Sequence, residues 1–189
     1  PEGVAALEFY TDLILKHRVS RYGFGAGSQG GQEPFPRGKA GMIMGGSYDL
    51  VYLANEAPHI DYGTALLPKP EDGEFVSLVD SFSVFMMAQS RNKEDAWTFL
   101  KYCSSEEAQL AFAKTSFRLP SHIKAAQDPY FQEDPKLRVF SEALANGRSL
   151  PVIPEWSEIE DILYAEIEAA INGAKTPAEA LDAAALKIN

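Results

Sequence analysis

The residues that could do chemistry gather first at Gly45-Gly-Ser-Tyr-Asp49. A hydroxyl, an aromatic ring and a carboxylate stand there in consecutive positions, Ser47, Tyr48 and Asp49, between an apolar run and a helix-like one. Two glycines before a serine at a strand-to-helix turn are the frame of a nucleophile elbow, with Ser47 as nucleophile and His122 as base. In that motif a second glycine follows the serine, because the sharp turn crowds any side chain; Asp49 occupies the position here. The same residues also make a small-molecule contact set, and equally an ordinary capped turn, with Ser47 as the cap. The residues alone leave these readings open.

Other groups are weaker candidates. Asp80, Ser81 and Ser83 interrupt the apolar residues Val79, Phe82, Val84, Phe85, Met86 and Met87. A carboxylate and hydroxyls in such a run must be paired, lie at a cleft, or mark where a strand surfaces, since unpaired burial is costly. Glu155, Glu158, Glu160 and Asp161 could supply a glycosidase carboxylate pair, but acids at a helix start are also what the helix dipole favours. His17, His59 and His122 are far apart and Cys103 is the single cysteine, so neither a metal site nor a disulfide is expected. Gly25-Ala-Gly-Ser-Gln-Gly30 spells a dinucleotide fingerprint in the wrong setting, since a helix precedes it and Pro34 and Pro36 follow. Arg37-Gly38-Lys39 fails as a phosphate loop, with Glu33 at the first glycine and Ala40 at the metal-binding hydroxyl. No cofactor is implied.

The elements that would position these residues follow from periodicity and punctuation. Ala6, Phe9, Tyr10, Leu13 and Ile14 recur at helical spacing over residues 4–16, and 18–38 reads as a glycine- and proline-rich loop. Residues 40–44 read as a buried strand, 61–67 as a second, and 75–88 as a long β-rich stretch. The remainder is helical. Asn92 and Ser104-Ser-Glu-Glu107 start helices, with Ala96, Trp97, Phe99, Leu100 and Cys103 on the first one's inner side. Asp134-Pro135 starts another that Asn146-Gly147 stops, with Leu137, Phe140 and Leu144 inward. Ser157-Glu-Ile-Glu160 and Thr176-Pro-Ala-Glu179 open the last two. Trp156 lies ahead of the former, after Pro151-Val-Ile-Pro154, where a large ring is not needed to complete a stripe.

Composition narrows the class. The chain of 189 residues is 46% hydrophobic and 23% charged, ordinary for a globular protein of one or two domains. A net charge of -10 opposes nucleic acid or an anionic membrane, and no apolar run approaches the roughly 20 residues that span a bilayer.

Taken in order, the segments resemble the second half of an extracellular solute-binding protein of a sugar ABC transporter, of the maltose-binding-protein-like family. The resemblance runs from Phe35 to Asn189 and rests on Phe35, Gly38-Lys-Ala-Gly-Met42, Gly46-Ser-Tyr48 and Asp61-Tyr-Gly-Thr-Ala-Leu-Leu-Pro68. It continues through Ala96-Trp-Thr-Phe-Leu-Lys-Tyr-Cys-Ser-Ser-Glu-Glu-Ala-Gln109, Leu119-Pro120, Pro154-Glu-Trp156 and the closing stretch 178–189. It implies an α/β, periplasmic-binding-protein-like (type II) fold, mostly the carboxyl-terminal lobe, helix-rich with a small sheet. Residues 1–75 and 121–189 would form that lobe, 76–120 would belong to the amino-terminal lobe, and the amino-terminal half of the parent would be absent.

The implied role is a non-enzymatic component of an importer that captures a sugar or oligosaccharide between lobes and passes it to permease subunits. It would be exported, to the periplasm or the outer face of the cytoplasmic membrane. Its implied contacts are Tyr48, a departure from the family's usual tryptophan, with Ser47, Asp49, Asp80, Ser81, Phe117, Arg118 and Trp156. A pyranose offers an apolar face to an aromatic ring and hydroxyls to carboxylates, which Tyr48, Trp156 and Asp80 could meet. The alternative from the residues is an α/β serine hydrolase using Ser47. A middle segment detached from its lobe would expose an apolar face and favour self-association.

Overall fold

The computed structural model describes residues 1–20, 34–71 and 73–188. The glycine-rich Gly25 to Gly30 stretch and Glu33 lie outside them. The chain divides into two compact units, Pro1–Ser28 with Pro151–Asn189, and Gln29–Leu150.

The first unit is built from α1 (Glu2–Leu15), and from two further helices, Trp156–Ile171 and Pro177–Ile188, called α8 and α9 in chain order. Thr176 and Glu179 form a reciprocal capping box at the start of α9. The Thr176 N–H donates to Glu179 Oε2 (2.8 Å) and the Glu179 N–H to Thr176 Oγ1 (3.3 Å). Gly173 adopts φ +72°, the left-handed geometry that lets the chain leave α8 and turn back. Leu7, Ala170 and Ala180 form the core, with Ile167 and Leu181 against it. The alanines admit a close approach but cover only a narrow meridian of α1. Leu7 and Thr11 are therefore the buried residues of α1, and Thr11 donates its hydroxyl to the Glu8 carbonyl (3.1 Å). This corrects the expected aromatic stripe: Phe9 is 65% exposed, and Tyr10 lines an open cavity of about 620 Å³ with Ala6, Tyr164 and Ile167. Helix α8 begins at Trp156 rather than at a Ser157 cap, because the Trp156 and Glu158 N–H groups already bond the Ile153 and Glu155 carbonyls.

The second unit holds α2 (Asp49–Glu56), β1 (Ser77–Leu78), α3 (Lys93–Cys103), α4 (Glu106–Ser116), α5 (Ile123–Ala126), α6 (Tyr130–Glu133), α7 (Pro135–Ala145) and β2 (Gly147–Arg148). Ser105 caps α4 by accepting from the Ala108 N–H, and Asp134 caps α7 by accepting from Lys136 and Leu137 ahead of Pro135. Leu50, Ala113, Phe131 and Leu137 are its buried centre, surrounded by Tyr62, Leu110, Phe117, Leu119, Tyr130 and Phe140. Strands β1 and β2 pair in parallel, Ser77 with Gly147 and Leu78 with Arg148, the one sheet among the described residues.

Three strand expectations are corrected here. Residues 40–44 and 61–67 form no ladder, and the 75–88 stretch is strand only at β1. Residues 40–44 and 61–67 have no ladder partner among the described residues, and a strand exists only as a pair. Met42 is 90% exposed and Phe85 81%. Trp97, expected in the core, is 52% exposed, and no residue of α3 is buried. Among the described residues no helix is long and apolar enough to cross a membrane.

Two expected outcomes test these cores. Phe131 is fully buried, so Phe131→Ala should lose about 3–5 kcal/mol in denaturant titration. In the first unit, Glu166 is buried and bonded by Lys175 and by Lys187 (2.7 Å). The Lys175 bond, then that of Lys187, holds its carboxyl below the usual carboxylate range. A depressed folded-state pKa stabilises above the unfolded value, about 4.3. That stability is lost as pH falls through the folded value. The stability gap between wild type and Glu166→Gln should be full at neutral pH and close on acidification below about pH 4 in thermal melts.

Candidate functional site

The turn before α2 is shaped by its glycines. A Cβ on Gly45 would collide with the Asp49 carboxylate, and one on Gly46 with the Tyr48 ring. Both side chains therefore fold back over bare backbone, the close approach that glycine permits. The Asp49 N–H bonds the Gly46 carbonyl (3.0 Å) and the Leu50 N–H the Ser47 carbonyl (3.2 Å). Tyr48 is already helical in its backbone, at φ -64° and ψ -21°. With those donors used, the Ser47 hydroxyl has no N–H to accept from, and its expected capping role is corrected: α2 has no side-chain cap bond. Asp49 instead accepts from the Gly46 N–H (2.9 Å). Burial raises the pKa of that carboxyl, and the Gly46 bond opposes the shift.

Tyr48 meets two distant parts of the chain. The Arg118 guanidinium lies over its ring, 5.0 Å from the centroid, and over the Phe82 ring at 4.5 Å. Arg118 is placed by the end of α4, where Phe117 takes the left-handed φ of 57°. Phe117 packs on Tyr130 in the core, 6.5 Å between centroids. The Arg118 N–H donates to Ser116 Oγ (3.3 Å). The structure thus brings Tyr48 and Arg118 together, with Ser47 and Asp49 in the same turn, and turns Phe117 inward.

Asp80 and Ser81 are exposed, and the Asp80 carboxylate accepts from the Ser81 N–H (2.7 Å). Phe82 was absent from the expected contacts. The signal for it was alternation: in extended chain it shares a side with Asp80. Trp156 belongs to the other unit, as the first residue of α8. It is half-buried, and its indole Nε1 is buried with no hydrogen-bond partner among the described residues.

The hydrolase geometry is not present. His122 Nδ1 accepts from the Ala125 N–H (3.4 Å) as the cap of α5, and no hydrogen bond joins it to Ser47. In the carboxylate group, Glu160 accepts from the Tyr164 hydroxyl (3.2 Å), while Glu155, Glu158 and Asp161 are exposed at the start of α8. Among the described residues no group of three or more His, Cys, Asp and Glu could hold a metal ion.

The fold is that of a family of binding proteins. Residues 1–139 match the family described as bacterial extracellular solute-binding protein, and the chain belongs to that family. It is 31% identical over 156 residues to a binding protein of Brucella abortus strain 2308, covering 82% of this chain and 38% of that one. The diacetylchitobiose binding protein DasA of Streptomyces coelicolor is 27% identical over 187 residues, 95% of this chain and 43% of that protein. A solved ABC transporter solute-binding protein from Thermotoga lettingae, bound with α-D-tagatose, superposes with a TM-score of 0.83 at 26% identity. It is matched over 100% of this chain and 48% of its own. The fold is α/β, of the type II periplasmic-binding-protein kind. The chain spans less than half the length of these relatives.

Because Asp49 bonds the one N–H that ties Gly46 to α2, Asp49→Ala should cost about 1 kcal/mol in chemical denaturation.

Proposed function

We propose that this chain is part of the substrate-binding component of an ABC importer, one that holds a sugar or oligosaccharide between two lobes and delivers it to membrane permease subunits. The observation that carries the reading is the Tyr48 turn. A half-exposed aromatic ring, set by glycines at the start of a helix and backed by a guanidinium, offers the flat apolar surface onto which a pyranose stacks. The diacetylchitobiose and tagatose ligands of the relatives support the same chemistry.

Asp80 and Ser81 supply exposed polar contacts, and Ser47 and Asp49 complete the turn that presents the ring. The role requires no catalytic residue, and none is assigned. The parent protein is exported, as the family description indicates, and works in the periplasm or at the outer face of the cytoplasmic membrane.

Residues 1–75 and 121–189 are assigned to the carboxyl-terminal lobe and 76–120 to the other. Phe82, Val84, Phe85 and Met87, with Trp97 and Phe99 on α3, are all more than half exposed, as expected of a segment whose own lobe is made elsewhere. The same surface would drive self-association of this segment alone.

The test is a saccharide screen on full-length protein by thermal shift. A cognate sugar at a hundred times its Kd should stabilise by about 2.7 kcal/mol. Tyr48→Ala should abolish that shift while leaving the unliganded melt nearly unchanged. Stabilisation by other solute classes and by no saccharide would overturn the sugar reading.

A further inference from the structure

We infer that Arg118 selects a saccharide bearing a carboxylate, such as a hexuronate or oligouronide, over its neutral counterpart. The inference rests on the sugar-binding reading of the Tyr48 turn and specifies the ligand class that the turn takes.

The chain carries 27 acidic residues against 17 basic ones, so an arginine has carboxylates in excess to pair with. Arg138 pairs with Glu142 and Arg148 with Glu74. Arg18, Arg37 and Arg91 have no ion pair among the described residues but are exposed, whereas Arg118 is half-buried and likewise pairs with none there. Its charge is held instead by two ring faces, Tyr48 and Phe82, at 5.0 and 4.5 Å. Ring faces stabilise the cation without bonding its N–H groups as a carboxylate does. The fork of donors that matches a carboxylate in bidentate fashion is therefore left without a carboxylate among the described residues.

The acids nearest along the chain do not compete for it. Asp49, beside Tyr48, has its carboxylate on the Gly46 N–H. Asp80, two residues from Phe82, has its own on the Ser81 N–H. A half-buried cation held on ring faces beside a sugar-stacking ring, and paired with no carboxylate among the described residues, is arranged for a negative group on the sugar itself. The net charge of -10 opposes an anion only over distance. Screening limits that repulsion to roughly 8 Å in physiological salt, whereas the guanidinium acts in contact.

The experiment measures full-length protein by calorimetry against matched pairs. D-galacturonate is set beside D-galactose, D-glucuronate beside D-glucose, and trigalacturonate beside galactotriose, with galactose 6-phosphate as a second anion. The uronate of at least one pair should bind about ten- to a hundredfold tighter than its neutral partner. Arg118→Met should reduce that preference to about one, while Arg118→Lys, keeping the charge but not the fork, should retain part of it.

Equal affinity for uronate and neutral sugar overturns the assignment, as does a preference that survives in Arg118→Met. Tight binding of the sugar phosphate with weak binding of every uronate also overturns it. If Arg118→Met lowers the unliganded melt, the wild-type ratio of acidic to neutral affinity still decides. Binding of neutral sugars alone removes this assignment and leaves the sugar reading intact. Binding of no saccharide at all removes both.

Discussion

The contact on which the candidate site depends is the Arg118 guanidinium between the Tyr48 and Phe82 rings. It joins three segments that no ladder joins: the turn before α2, the extended chain after β1, and the loop after α4. Backbone hydrogen bonds fix geometry within each segment, but side-chain packing and charge must fix it between them. Cation–π contacts of this kind contribute about 0.5–2 kcal/mol each, depending on desolvation. That is small beside the buried core of Leu50, Ala113, Phe131 and Leu137, which sets where α2 and α4 lie. The core holds the scaffold, and the guanidinium sets the details of its surface.

The helical part of this architecture was legible because helix signals are local. Thr176 with Glu179, and Asp134 with Pro135, state a helix start within four residues, and the structure realises both. Strand signals are not local. The apolar runs at 40–44 and 61–67 have strand composition, but pairing needs a second chain segment at ladder distance, which among the described residues only β1 and β2 provide. The α1 stripe failed for a related reason. Aromatic spacing favoured Phe9 and Tyr10, whereas the alanine surface of α8 and α9 selected Leu7 and Thr11.

The site was legible in its turn and illegible in its partner. Glycine, glycine, hydroxyl, ring and acid in succession announce a special turn, but the roles within it depend on which N–H groups the backbone leaves free. Ser47 lost its capping role to two carbonyls, and Asp49 gained a bond to Gly46. Alternation set Phe82 on the side of Asp80, but its contact with Arg118 spans 36 positions and involves a cation that no local pattern links to it. Family resemblance supplied Arg118, and geometry supplied its neighbour.

The fate of the carboxylates also explains why this surface is suited to recognition. Asp49 and Asp80 each accept from a backbone N–H, and Glu160 accepts from a tyrosine. The histidine that could have served Ser47 caps α5 through its ring nitrogen. In the proposed site the ring faces of Tyr48 and Phe82 and the Arg118 guanidinium would meet the ligand, with the exposed Asp80 beside them in sequence. A guanidinium does not give up its proton in the physiological range. Ring faces and a guanidinium stack, bond and attract, which is what the proposed binding role asks of them. On the proposed reading, stacking and hydrogen bonding by these groups suffice to hold a sugar, with no reacting group required.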